Sequence, residues 1–155
     1  MALLHVSAEQ TISAPADAVY ALLADYLDGH PRILPPAFSD FTVLKGGVGT
    51  GTIIRFSLTL SGRRQEIEAR VDEPEPGRVL TETYPHKEAV TRFTVDPVGS
   101  DCRLRIETSW KPSGGIAGLI DRLVAPRLFR KLYSEELDLI ERWAVDRTTA
   151  TRGDN

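Results

Sequence analysis

The sequence predicts an α+β domain in which an antiparallel sheet of about seven strands packs on a long C-terminal helix, with two short helices after the first strand. Three observations carry this expectation. A short alternating run ends in a proline-marked amphipathic segment at residues 12–26. Turn residues then recur at regular intervals between alternating apolar runs from Phe38 to Lys111. Finally, one apolar stripe at helical spacing extends from Ile116 to Ala144.

Each element follows from its own residues. Val6, Ala8, Gln10 and Ile12 share one face of a first strand. Ser13 is a candidate N-cap and Pro15 falls in a first helical turn, where its missing N–H is not needed. Val19, Leu22, Leu23, Tyr26 and Leu27 then form the apolar side of a helix. Residues 28–36 hold three prolines, which leave room for one short helical turn. Phe38–Lys45 reads as a strand and the glycine-rich run 46–51 as a turn. Thr52–Leu60 alternates most cleanly, with Ile54, Phe56, Leu58 and Leu60 on one side.

Ser61-Gly62 makes a tight hairpin into Arg63–Asp72, where Ile67, Ala69 and Val71 share a face. A loop at 73–77 leads to the strand Arg78–Tyr84, in which Val79, Thr81 and Thr83 compete with Leu80, Glu82 and Tyr84 for the inner face. The strands Ala89–Asp96 and Asp101–Lys111 complete an antiparallel meander. The closing helix is expected from about Gly115 to Arg147, broken or kinked at Pro126. One domain over residues 1–147 is expected, followed by a disordered tail at 148–155 that lacks apolar anchors.

Composition narrows the function. A chain of 155 residues is long enough to bury a sizeable core. Its net charge of -3 supplies no global field toward nucleic acid or an anionic membrane. Cys102 is the single cysteine, so no intramolecular disulfide forms and a reducing, cytoplasmic setting is expected. Its alternation with Leu104 and Ile106 favours a buried structural thiol over a nucleophile. No signal-peptide pattern and no apolar run near the ~20 residues of a membrane span is present.

Catalytic motifs are scarce. The glycine run 46–51 lacks the following helix that phosphate binding requires, so it reads as a wide hairpin turn. His5, His30 and His86 are too dispersed for metal-ligand spacing, and no metal or cofactor is expected. His30 and His86 lie in proline-marked connections that would converge at one end of a closed fold, with Arg32 and Tyr84 nearby. No Gly-x-Ser-x-Gly elbow is present. Glu136 stands out because Leu132 and Ile140, four residues either side, belong to the apolar stripe. A carboxylate there either snorkels at the edge of the packed face or points into a polar part of a cavity.

The opening segment, the Pro-x-x-Gly-Arg loop from Pro74 to Arg78 and the closing helix together resemble the START-related, or SRPBCC, superfamily of polyketide cyclases and lipid-transport proteins. The resemblance covers roughly residues 3–147 and carries no catalytic signature. It implies the helix-grip fold, a curved sheet wrapped around the long helix, and a ligand cavity between the two. It also implies a gating place for the glycine-containing connection near the cavity mouth. The positions then expected to bind ligand are Tyr26, Arg32, Ile54, Phe56, Leu58, Gln65, Ile67, Phe93, Thr108, Trp110, Leu132, Tyr133 and Glu136. Glu136, Tyr84 and His30 are the candidate catalytic residues. Read without the resemblance, the same inward positions describe an ordinary core with a few satisfied polar groups.

The resemblance implies a binder or carrier of a hydrophobic small molecule such as a lipid, a polyketide-like compound or an isoprenoid. An enzyme of the cyclase or dehydratase type, moving protons with cavity side chains, is the alternative. A co-chaperone-like interaction module is a further one, though no obvious exposed apolar patch supports it. Neither nucleic acid nor integral membrane association is expected, and the sequence leaves the oligomeric state open.

Overall fold

The computed structural model describes residues 3–112, 114–115 and 123–153, the last three by backbone alone. Seven strands form one antiparallel sheet: β1 (Leu4–Ile12), β2 (Phe38–Lys45), β3 (Ile53–Leu60), β4 (Arg63–Glu75), β5 (Val79–Tyr84), β6 (Ala89–Val98) and β7 (Asp101–Trp110). Helices α1 (Ala16–Ala24) and α2 (Gly29–Arg32) follow β1, and α3 (Ala125–Gly153) closes the chain. The strand order is β1-β7-β6-β5-β4-β3-β2, so the first strand pairs with the last and the remainder is a meander.

Short turns explain the meander. Leu60 pairs with Arg63 across Ser61-Gly62, and both turn residues have positive φ (50° and 75°), the backbone of a type I′ hairpin. The register then aligns rows across the sheet. Leu80 pairs with Phe93 and Phe93 with Ile106, which makes one apolar row. Glu82 pairs with Thr91, Thr91 with Thr108, and Thr108 with Val6, a polar row one pair further along the same face. The core lies where Leu137, Ile140 and Ala144 of α3 and Val19 and Leu23 of α1 meet Val95, Leu104 and Ile106, all buried.

Local details differ from the sequence expectations for identifiable reasons. Ser13 does not cap α1; the cap position is Pro15, and the Ser13 backbone N–H donates instead to Glu141 Oε2 at 2.8 Å, pinning the end of β1 to α3. β4 continues through Glu73-Pro74-Glu75, with a register shift between Asp72 and Glu75 absorbing the proline. Helical backbone is interrupted just ahead of Pro126: Leu123 is helical, Val124 is a turn, and α3 starts at Ala125, so Pro126 occupies its first turn. The helix continues to Gly153, into the stretch 148–155 that lacks apolar anchors. The stripe residues Ile116, Leu119 and Ile120 lie outside the described residues. Among those described, no helix is long and apolar enough to cross a membrane.

Candidate functional site

A pocket of about 490 Å³ separates the inner face of the sheet from the first half of α3. Strand alternation decides what faces it. Ile54, Phe56 and Leu58 come from β3, and Gln65 and Ile67, their hairpin partners' side of the register, come from β4. Phe93 of β6, Thr108 and Trp110 of β7, and Leu132, Tyr133 and Glu136 of α3 line it too. Trp110 of β7 meets Phe129 of α3 across the gap between layers at 5.4 Å, and Phe129 lies 6.0 Å from Tyr133 one turn along the same helix. Phe38 and Phe56 close the β2 side at 5.3 Å.

The floor is polar and organised around Glu82. Tyr26 donates to Glu82 Oε1 and Tyr84 to Oε2, both at 2.7 Å. His30 Nε2 lies 3.6 Å from the same carboxylate. Its Nδ1 lies 2.8 Å from the Leu23 carbonyl oxygen, which only accepts, so Nδ1 carries a proton. The imidazole is fixed further by stacking on Tyr26 at 4.4 Å and by an edge contact with Phe93 at 5.7 Å. From Tyr84 a chain of hydroxyls follows the polar row. Tyr84 Oη lies 3.0 Å from Thr91 Oγ1, Thr91 lies 2.7 Å from Thr108, and Thr108 bonds Tyr133.

Glu136 faces this group from α3. It is 3% exposed, and its Oε1 has no hydrogen-bond partner among the described residues. Burial, and secondarily the charge of Glu82, pushes its carboxyl well above the usual carboxylate range. Burial, then the same Glu82 charge, raises the Tyr26 and Tyr84 phenols, and burial raises Tyr133. The Tyr26 and Tyr84 hydroxyl protons are thus both spent on Glu82, whereas Glu136, whose ionisation burial disfavours, lines the apolar pocket. A protonated carboxyl in that place can donate a hydrogen bond to an acceptor oxygen and release a proton to it.

Of the positions expected to bind ligand or to act in catalysis, all but two line this pocket. Tyr26 lies behind the wall and reaches the site only through Glu82 and His30. Arg32 is not among the lining residues: its side chain is 61% exposed and bonds Asp28, one helical turn back. His86 is exposed in the β5–β6 turn, so the two histidines do not converge. Glu82 and Thr91 were not assigned from the sequence, and neither were Leu34, ahead of β2, and Phe41 within it. The register partner of Thr108 is the signal that would have found Thr91.

The glycine run does not line the pocket. The Tyr26 N–H donates to the Gly47 carbonyl at 2.8 Å and the Gly49 N–H to that of Ala24 at 2.9 Å, which ties the loop to the end of α1. It adjoins the start of β3 and none of its residues lines the pocket, whereas Leu60 and Ser61 at the other end of that strand do. Cys102 is buried, and burial pushes its thiol up to about 11, away from nucleophilic use. No group of metal-ligating side chains is present among the described residues.

Fold and pocket together define a helix-grip domain. Residues 4–144 match the sequence model of the polyketide cyclase / dehydrase and lipid transport family, and the chain belongs to that family. No curated protein sequence matches it. Among solved structures it is similar to the KanY protein, with 29% identity and a TM-score of 0.81 over 93% of this chain and 99% of that one. It is similar in fold to the Zhui aromatase/cyclase from a Streptomyces species, at 21% identity and a TM-score of 0.77 over 95% and 96% of the two chains. A START superfamily protein from Mycobacterium smegmatis shares the fold at 14% identity, with a TM-score of 0.72 over 92% and 97%.

Proposed function

We propose that this protein binds a hydrophobic small molecule, such as a lipid, a polyketide-like compound or an isoprenoid, in the pocket between the sheet and α3. One observation carries the reading: an apolar, aromatic-walled space of about 490 Å³ into which a single buried carboxyl presents an unpartnered oxygen. That volume falls within the roughly 300–1,000 Å³ of small-molecule sites, and convergent polar groups on an apolar wall are their usual form. A ligand oxygen against Glu136 removes the cost of leaving that group unpaired. Denaturing mass spectrometry of an organic extract from the purified protein tests this. A stoichiometric apolar compound is expected, and an empty extract from protein that also takes up no added apolar probe overturns the reading.

A second reading is an enzyme of the cyclase or dehydratase type. It is favoured by the placement of proton-holding Glu136 opposite Glu82, His30 and Tyr84. There Glu136 would give its proton to a carbonyl or departing hydroxyl oxygen. With a flexible polyketone as substrate, Glu136→Gln and Tyr84→Phe should each lower turnover by a factor of about 100 or more while binding persists. Turnover that survives both changes excludes these assignments.

A further inference from the structure

Among the described residues, six acidic or basic side chains line the pocket, and they are segregated along its depth. His30, Glu82 and Glu136 lie at the floor and are buried. Arg63, Lys87 and Lys111 lie at the other end and are exposed. The register fixes this separation: β6 runs from Ala89 at the rim to Phe93 at the floor, four residues or about 13 Å of strand. Among the described residues, the charged side chains of the pocket rim are thus all cations, in a chain whose net charge is -3.

These cations form a connected arc drawn from three elements. Arg63 and Gln65 stand two apart on one face of β4, and Lys87 in the β5–β6 turn donates to Gln65 Oε1 at 2.9 Å. The Lys111 N–H donates to the Glu88 carbonyl, which places the end of β7 beside that turn. Their charges are little compensated. Gln65 is neutral, the Lys111–Glu88 ion pair is loose at 3.7 Å, and Arg63 has no carboxylate partner among the described residues.

We propose that this mouth is an anion-recognition site, so that the ligand is an amphiphile with a carboxylate or phosphate at its outer end. The proposal rests on the pocket's being the ligand site and adds the ligand's class and direction. An anionic end entering first meets Glu82 and a carboxyl that resists ionisation. Held at the mouth, it meets three donors, two of them able to leave their present partners. The apolar body then lies against Phe56, Trp110 and Phe129, and an acceptor oxygen at the inner end meets Glu136.

The test is displacement of phenylnaphthylamine, an uncharged fluorescent probe, by dodecanoate, dodecyl phosphate and dodecanol, which share one chain and differ in the head. At low salt at least one anion should bind about tenfold more tightly than the alcohol, the combined worth of a few exposed ion pairs. The preferred head then names the source of the negative charge. The advantage should fall toward one in the triple variant Arg63→Gln, Lys87→Gln, Lys111→Gln, and in wild-type protein as salt is raised. Equal binding of anions and alcohol, or a preference that survives the triple variant, overturns the mouth proposal and leaves the pocket reading standing. Failure of the probe to bind at all overturns the pocket reading, and the mouth proposal falls with it.

Discussion

Glu136 occupies the packed face of α3 between Leu132 and Ile140, where a carboxylate loses its hydration and faces the charge of Glu82. Its folded value therefore lies above the unfolded one, and the native state keeps a proton that the unfolded chain releases. Stability from this group is fully present below the unfolded value of 4.5 and is lost as pH rises through the folded value, by at most about 1.4 kcal/mol per pH unit. Glu136→Gln keeps the shape and cannot ionise. The difference in Tm between variant and wild type should thus move in the variant's favour from pH 4 to pH 8. A difference that stays constant across that range would show that Glu136 is not held protonated. Helical spacing was enough to mark Glu136 as anomalous in the sequence. Glu82 was not legible, because Val79, Leu80, Thr81 and Glu82 are all buried in the middle of the sheet and alternation loses its contrast there. Arg32 misled for the opposite reason: proximity in sequence to His30 says nothing of direction, and α2 turns Arg32 outward onto Asp28.

At the scale of elements, Glu73 ties three of them together. Tyr20 of α1 donates to Oε2 at 2.6 Å, and the Thr50 N–H of the glycine loop donates to Oε1 at 2.9 Å. The Tyr20 bond first, and the Thr50 amide second, hold this carboxyl below its ordinary value. Stability from the tie is present above the unfolded value and lost as pH falls through the folded one. Gly49 passes directly beneath it: a Cβ there would lie 2.1 Å from Glu73 Oε1, and φ is +64°. Gly62 in the β3–β4 turn has a similar φ of +75° with nothing within 4 Å. Both alanine substitutions incur the backbone penalty of about 1 kcal/mol, but only Gly49→Ala displaces the carboxylate, for a further loss of about 1–3 kcal/mol. Urea unfolding at pH 7 should therefore show a clearly larger midpoint shift for Gly49→Ala, and the gap should narrow at pH 3. Equal shifts would mean that the loop yields without disturbing Glu73. The glycine run was readable as a turn, but which glycine is irreplaceable depends on a carboxylate 24 residues further along the chain. Pro126 is the same lesson in a helix: the proline was visible, and whether it kinks or starts a helix depends on where the hydrogen-bonded segment begins.

Across the whole molecule, pairing β1 with β7 makes one sheet whose central strands β5 and β6 carry the floor of the pocket while α3 stands opposite. The order of elements was legible because turn residues punctuate the chain at regular intervals. The space between layers was not, since a sequence read by periodicity describes an apolar pocket wall and a filled core identically. That ambiguity has a thermodynamic signature. A filled core gains nothing from an added apolar molecule, whereas a protein whose native state alone binds one gains about 2.7 kcal/mol at a hundredfold excess over Kd. For a domain of this length each kcal/mol is worth about 2–4 °C, so phenylnaphthylamine at that excess should raise Tm by roughly 5–10 °C. Ile67→Trp, which extends an indole from β4 into the pocket, should abolish the shift, with an unliganded Tm at or above that of wild type, since the added surface fills existing space. A wild-type Tm indifferent to the probe would identify the interior as an ordinary core. A variant that unfolds tens of degrees earlier would show that Ile67 faces packed neighbours.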